Sequence, residues 1–257
     1  DLDKLVERRS LSAEAAEFLR LVVTLHKNTV VSGGTGTGKT SLLNALSAAV
    51  PETERIVVIE DTSELQLSQP HTVYLEAQPA DAHGEGRVTI RDLFVDSLRM
   101  RPDRIIVGEV RRGEALDLIQ SMISGHAGSL TTVHANTPRD AAVRLETLCL
   151  MSDVSLPVYV ARTQVASAIH LVVQLARLSD GSRRVTAISE CRGAHPEGGY
   201  AFEDLYRFVG AGRDAEGNIL GELKPTGARP SFANEVDALG LRDQVRLTER
   251  LFAPAPA

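Results

Sequence analysis

Short runs of β-branched and aliphatic residues recur along the first two thirds of the chain. "TVVS" (29–32), "RIVVIE" (55–60), "RIIVGE" (104–109) and "SLTTVH" (129–134) read as buried strands. Between them, 39–48, 90–99 and 113–124 carry apolar residues at helical spacing, and 138–150 follows as a further helix after Pro138. Strands separated by helices predict a mostly parallel sheet with crossover connections. Ligands in such sheets bind at the C-terminal ends of the strands, so position in the sequence becomes position in a site. Ahead of the first strand, "LSAEAAEFLRLVVTLHKN" reads as a helix. Ser12 is placed to cap it, Glu14 suits its first turn, and Ala15, Ala16, Leu19, Val22, Val23 and His26 fall on one face.

After residue 167 the pattern changes. "AIHLVVQLARL" and "RRVTAISE" flank "SDGS" and predict an antiparallel hairpin around Asp180-Gly181. A Gly-rich turn at 198–199 precedes "YAFEDLYRFV", and "GAGRDAEGN" reads as a polar loop. In "KPTGARPSFANEVDALG", Ser231 is placed to cap a last helix, and the closing "APAPA" reads as a frayed tail. The expected division is 1–178, an α/β domain with a leading helix, and 179–257, a β/helical extension packed on the same domain.

A chain of 257 residues is long enough to bury a core without staples. Cys149 and Cys191 suggest neither a disulfide framework nor a paired-cysteine zinc site, which points to a reducing compartment, the cytosol. No apolar run approaches the roughly 18 residues of a membrane span, and "DLDKLVERRS" lacks a signal-peptide core, so any membrane role is peripheral. A net charge of −6 argues against a surface built to grip phosphate backbones; no nucleic-acid partner is expected.

"GGTGTGKT" matches the phosphate-binding loop G-x-x-x-x-G-K-[ST] between a strand and a helix. Gly33, Gly34, Thr35, Gly36, Thr37 and Gly38 turn backbone N–H groups toward phosphates, Lys39 adds a point charge to the β- and γ-phosphates, and the Thr40 hydroxyl can ligate Mg²⁺. Ser41 completes the expected ATP-binding set. Hydrolysis further needs a carboxylate for the metal and a group that orients water. Glu60-Asp61 and Glu109 stand at strand ends. The expectation is that Glu60 activates water while Glu109 supports Mg²⁺, with the reverse assignment open.

"SGHAGSLTTVHANT" places His126 and His134 about one strand apart, on the order of 25 Å at 3.3 Å per residue, which excludes a shared metal site within one chain. His134 falls on the nucleotide side, where an imidazole can bond a γ-phosphate, with Thr131 and Thr132 as possible relays. His126 lies in a glycine-flanked turn and is left open between turn and function. Arg99, Arg101, Arg104, Arg111 and Arg112 cluster around Glu109. Either Arg111 acts across a subunit edge, or these arginines form ion pairs with Asp96, Asp103 and Glu114.

These segments together resemble the secretion ATPase superfamily of type II secretion, type IV pili and type IV secretion. "GGTGTGKT" is similar to its Walker A, "VVIEDTSEL" to its Asp box, "MRPDRIIVGEVR" to its atypical Walker B and "GHAGSLTTVHANTPRDAAVRLETL" to its His box. "AEFLRLVVTLHKNTVVSGGTGTGKTSLLNALS" and "LGELKPTGARPSF" most resemble the CpaF-like branch, which powers tight-adherence (Flp) pili. Arg112 departs from the small residue usual in that branch, and Ala127 from a frequent acid. The resemblance implies a RecA-like P-loop fold with a C-terminal antiparallel extension. It also implies ATP and Mg²⁺ as cofactors, with catalytic roles for Glu60, Glu109, His134 and Arg111. A homo-hexameric ring is implied, docked on platform proteins at the cytoplasmic face of a bacterial inner membrane. Family members carry a further N-terminal domain, so the chain is expected to be the ATPase portion of a longer protein or a natural short form. The rival readings are a nucleic-acid motor, which would want stacking aromatics that a chain without Trp and with 4 % aromatic residues lacks, and a nucleotide-dependent regulator without turnover.

Overall fold

The structure, a computed structural model, describes residues 1–253; all of the "APAPA" tail beyond Ala253 lies outside the described residues. Six strands run parallel: β1 (Thr29–Gly33), β2 (Ile56–Glu60), β3 (Thr72–Glu76), β4 (Arg104–Val107), β5 (Leu130–Val133) and β6 (Leu171–Arg177). β7 (Arg183–Ala194), β8 (Tyr200–Arg213) and β9 (Ile219–Pro225) extend them as an antiparallel meander. Among the described residues they form one sheet in the order β3-β2-β4-β5-β1-β6-β7-β8-β9. Residue 178 falls in the β6–β7 turn.

Both faces of the parallel half are covered, and side chains alternate between two cores. Val31, Val58 and Ile106 pack toward α1 (Leu2–Glu7), α2 (Ala13–Thr24) and α3 (Lys39–Ser47), joined by α8 (Glu235–Ala238) and α9 (Glu249–Phe252). Val30, Val57, Ile59 and Ile105 pack toward α4 (Ile90–Ser97), α5 (Glu114–Ile123), α6 (Pro138–Leu150) and α7 (Val158–Ala168). Among the described residues, no helix is long and apolar enough to cross a membrane.

Four expectations need correction. Ser12 caps α2 as expected, accepting from the Ala15 N–H, but the helix ends at Thr24. His26 turns through φ +52 with its side chain about half exposed, off the buried face on which periodicity placed it. The turn frees Lys27 to pair with Glu235 at 2.6 Å and Asn28 to enter the sheet. "GAGR" is strand, because β8 runs on to Arg213 to pair with β9. Ser231 does not cap α8, whose N-cap is Asn234; its N–H and hydroxyl donate instead to the buried Glu190 carboxylate.

At the N-terminal edge of the sheet, Asn28 joins three segments. Its Oδ1 accepts from the N–H groups of Gly128 (2.8 Å) and Ser129 (3.1 Å), and its Nδ2 donates to Ala168 O at 2.7 Å. The fully buried Arg104 donates to Val23 O at 2.7 Å and forks onto Glu54. That polar layer fixes how the strands enter the sheet, and with it where they end.

Candidate nucleotide site

The P-loop leaves β1 at Gly33, where a Cβ would sit 2.5 Å from Thr37 Oγ1 and 2.9 Å from Leu175 O. Gly36 (φ +71) and Gly38 (φ +98) occupy the left-handed region, which closes the loop onto α3. Thr37 Oγ1 donates to Gly34 O at 2.9 Å. Lys39 is buried and donates to the same carbonyl at 3.0 Å, and burial pushes its ammonium pKa down. Thr35, Gly36, Lys39 and Thr40 line a cavity of about 290 Å³. Gly34, Gly38 and Ser41 shape the loop and first helical turn behind it.

The other predicted residues reach this cavity from three strand ends, and Glu60, Glu109, Arg111 and His134 all line it. Glu60 is 5 % exposed and accepts from the N–H groups of Glu64 and Leu65, each at 3.2 Å. Burial raises its pKa above the ordinary carboxylate value, while those two N–H groups oppose the shift. Glu109 lies between two bases. Arg111 Nε is 2.7 Å from its Oε2, and His134 Nε2 is 2.8 Å from its Oε1. Arg111 also approaches Asp61 at 3.5 Å. His134 stands 3.4 Å from Lys39 Nζ; burial first, then the Lys39 charge, hold its imidazole pKa below the ordinary value. The approach of His134 to Glu109 is close but lacks hydrogen-bond geometry, so Glu109 Oε1 is buried without a hydrogen-bond donor.

The arrangement has room for a phosphate chain with its metal. The loop glycines leave a cradle that side chains would fill, and the Thr40 hydroxyl and Glu109 border the same space. Among the described residues, no cluster of three His, Cys, Asp or Glu side chains could hold a metal. A hard cation here would rest on Thr40, a carboxylate, water and the phosphates themselves, as Mg²⁺ does in phosphoryl-transfer sites.

Several predicted residues lie elsewhere. His126 sits at the opposite edge of the sheet, in the turn after α5, where its carbonyl accepts from Ser129 Oγ at 2.9 Å. Arg104 is the buried tie described above, and Arg112 lines a neighbouring cavity of about 850 Å³ that meets the site at Asp61, Thr62 and Arg111. The expected ion pairs are replaced: Arg111 pairs with Glu109 and Asp61, and Glu114 accepts the backbone N–H groups of Arg111 and Arg112. Thr132 Oγ1 donates to Gly108 O at 2.8 Å, whereas Thr131 is buried away from the cavity lining.

Sequence reasoning missed Gly108 as a site residue. A Cβ there would lie 2.9 Å from Glu60 Cγ, so a bare backbone just past the end of β4 makes room for the β2 carboxylate. The departure from an Asp-terminated strand, Gly followed by Glu, was the available signal.

The family model described as "Type II/IV secretion system protein" matches residues 3–213. A putative conjugal transfer protein of Mycobacterium tuberculosis is 41 % identical over 194 residues, covering 76 % of this chain and 54 % of that protein. The type IV secretion system protein PtlH of Bordetella pertussis is 40 % identical over 173 residues, covering 65 % and 51 %. The crystal structure of the VirB11 ATPase of the Brucella suis type IV secretion system superposes with a TM-score of 0.62 at 33 % identity, over 73 % of this chain and 55 % of that one. That likeness bears out the RecA-like fold. The chain spans about half the length of the curated relatives it matches.

Proposed function

The chain belongs to the type II/IV secretion system protein family, and on that premise we propose that it is the ATP-hydrolysing unit of a ring motor. The motor drives assembly or retraction of a type IV, Flp-like pilus, or powers a related secretion machine. The observation that carries the reading is the convergence of Lys39, Glu60, Glu109, Arg111 and His134 on one cavity at the P-loop. We read residues 1–178 as the ATPase domain and 179–257 as its extension.

In this reading the loop N–H groups and Lys39 would hold the β- and γ-phosphates, and Thr40 with Glu109 would hold Mg²⁺. The ion, when bound, would supply charge neutralisation to the phosphates. Glu60 is the better base. It has no cationic partner among the described residues, burial raises its proton affinity, and the N–H groups of Glu64 and Leu65 fix its direction. Glu109 is already engaged by Arg111 and His134, which suits a carboxylate that organises metal and water rather than one that takes a proton. His134, held neutral beside Glu109, can turn a ring N–H to a γ-phosphate. Arg111 rests on its own chain's Glu109, and its fork is free to move to phosphate oxygens here or at a neighbouring subunit.

The homo-hexameric ring, its place at the cytoplasmic face of a bacterial inner membrane and its platform-protein partners belong to the same proposal. They rest on the family and on relatives named for type IV secretion and conjugal transfer. The test is phosphate release per protomer as a function of protein concentration, with Lys39→Ala as the blank. Specific activity that climbs with concentration is the expected result, because a ring completes its sites between subunits. Activity that stays at the blank at every concentration overturns the assignment of turnover to this chain.

A further inference from the structure

We propose that Arg183, at the start of β7, is a nucleotide-binding residue that takes the α-phosphate from the side of the P-loop opposite Glu109 and His134. The inference rests on the reading of the P-loop as an ATP site. β1 lies between β5 and β6, and every group assigned above to the reacting end stands on the β5, β4 and β2 side. A phosphate chain whose γ end is turned toward His134 therefore leads back across the P-loop toward β6.

The β6–β7 hairpin is built to meet it. Gly33 is level with Leu175, so Ala176 and Arg177 carry β6 past the base of the P-loop before the chain turns at 178–182. The turn is held firmly. Asp180 accepts from the Ser182 N–H (2.9 Å), from Ser182 Oγ (2.7 Å) and from the Ile219 N–H of β9 (2.7 Å). Across the hairpin Leu175 pairs with Val185, both buried in the core beneath α2 and α3, and Arg177 pairs with Arg183 two residues further on. With a two-residue side-chain period, Arg183 leaves the sheet on the α3 face, the face of the P-loop helix.

Contact confirms that placement: a Cβ at Gly38, the last glycine of the loop, would lie 3.7 Å from Arg183 Cδ. The end of the aliphatic stem thus lies against the last glycine of the P-loop. Arg177, across the hairpin, is likewise exposed and without a side-chain partner among the described residues, but the arginines next to this pair are engaged. Arg184 donates to the carbonyls of Arg9 and Ile219, and Arg213 donates to Gly217 O and Ser179 Oγ. Arg183 is exposed and makes no ion pair and no side-chain hydrogen bond among the described residues. An uncommitted planar cation against a loop that gathers backbone N–H groups is suited to bidentate binding of phosphate oxygens.

The test is calorimetric titration of MgADP and of a non-hydrolysable ATP analogue with Mg²⁺ into the wild type, Arg183→Ala, Arg183→Lys, His134→Ala and Lys39→Ala. Arg183→Ala should weaken both nucleotides by the same factor, roughly 10- to 100-fold, since both carry the α-phosphate. Arg183→Lys should restore part of the loss by charge without the fork. His134→Ala should instead change the ratio of analogue to ADP affinity. Because Arg183 is exposed and unpartnered, its variants should unfold at the wild-type midpoint, and Arg183→Lys gives the reading if the alanine variant does not. ADP affinity within twofold of wild type in Arg183→Ala, or a loss confined to the ATP analogue, overturns the proposal. Wild type that fails to bind MgADP, or Lys39→Ala that binds it equally well, strikes at the ATP-site reading itself, and this inference falls with it.

Discussion

Replacing Gly108 by alanine isolates the contact that makes room for Glu60. The new Cβ would stand 2.9 Å from Glu60 Cγ and 3.1 Å from Oε1. Cγ is mid-chain, so the carboxylate cannot step aside by rotating its far end. Glu60 has to change rotamer inside a site where it is 5 % exposed and accepts two backbone N–H groups. Overpacking of this kind costs about 1–3 kcal/mol. The glycine's φ lies outside the left-handed region, so alanine itself is unstrained there, and the less flexible unfolded chain returns about 0.4–1 kcal/mol. The net expectation is a loss of about 1–2 kcal/mol. In a Glu60→Ala background the clash is gone, and the same substitution should be neutral or mildly stabilising. Urea unfolding of the wild type, both single variants and the double variant gives the coupling directly, expected at roughly 2 kcal/mol, well above the few tenths typical of independent sites. In the active assembly, Gly108→Ala should lower kcat at least tenfold while MgADP affinity stays within about threefold, because the base moves and the P-loop does not. Equal cost of Gly108→Ala in both backgrounds would refute the packing argument, whatever the activity.

Two further predictions concern charge. Burial raises Glu60 above the ordinary carboxylate pKa, so a base at this position loses activity on acidification at a higher pH than a solvated glutamate would, and the acid limb of kcat/KM should sit above about 4.5. Between the ordinary and the raised value the folded state holds the extra proton. Wild type should therefore lose stability relative to Glu60→Gln as pH rises through that window, and a difference flat in pH would contradict the desolvation. At the other edge of the sheet, Glu54→Ala strands the fully buried Arg104 with carbonyl partners alone. The expected cost is about 3–5 kcal/mol by denaturant unfolding, reduced in an Arg104→Met, Glu54→Ala double variant; a cost below about 1 kcal/mol would remove the tie from the argument.

The elements legible in the sequence were those whose periodicity and environment agree. β1, β2, β4 and β5 are short runs buried on both faces; β2 ends in Glu60, and β4 and β5 are followed by Gly108 and His134, all of which line the cavity. β3 escaped because "TVYLE" sits at the sheet edge, with Tyr74 exposed and no continuous apolar run to mark it. α1 and α9 are six and four residues long, too short for a period to show. The failures at His26 and Ser231 share one cause: a local rule lost to a partner far along the chain. Lys27 is paired with Glu235, and Ser231 bonds Glu190. The structural roles of Arg104 and Asn28 were hidden for the same reason, since a polar residue at the entry to a strand looks solvent-facing until its distant partners are known. In the candidate site, residue types at strand ends were readable, whereas Gly108 and Arg183 depend on which strands are neighbours, and sequence order does not disclose that β6 flanks β1.

Register is what turns those strand ends into one site. Ile59 is level with Val107, so Glu60 comes level with Gly108; Ser32 is level with Val133, so Gly33 comes level with His134. A slip of one residue on any of these strands would send its side chains to the opposite face and carry Glu60 or His134 away from the cavity. Two-sided burial prevents it. Val30 and Val31, like Val57 and Val58, belong to different cores, and each is fully buried. A slipped strand would have to repack both cores at once, while breaking the Asn28 and Arg104 ties that fix the strand entries. The apolar runs that identify the strands therefore also set the spacing between Glu60, Glu109, His134 and the P-loop, and a substitution in either core that loosens register should reach the cavity without touching a polar residue.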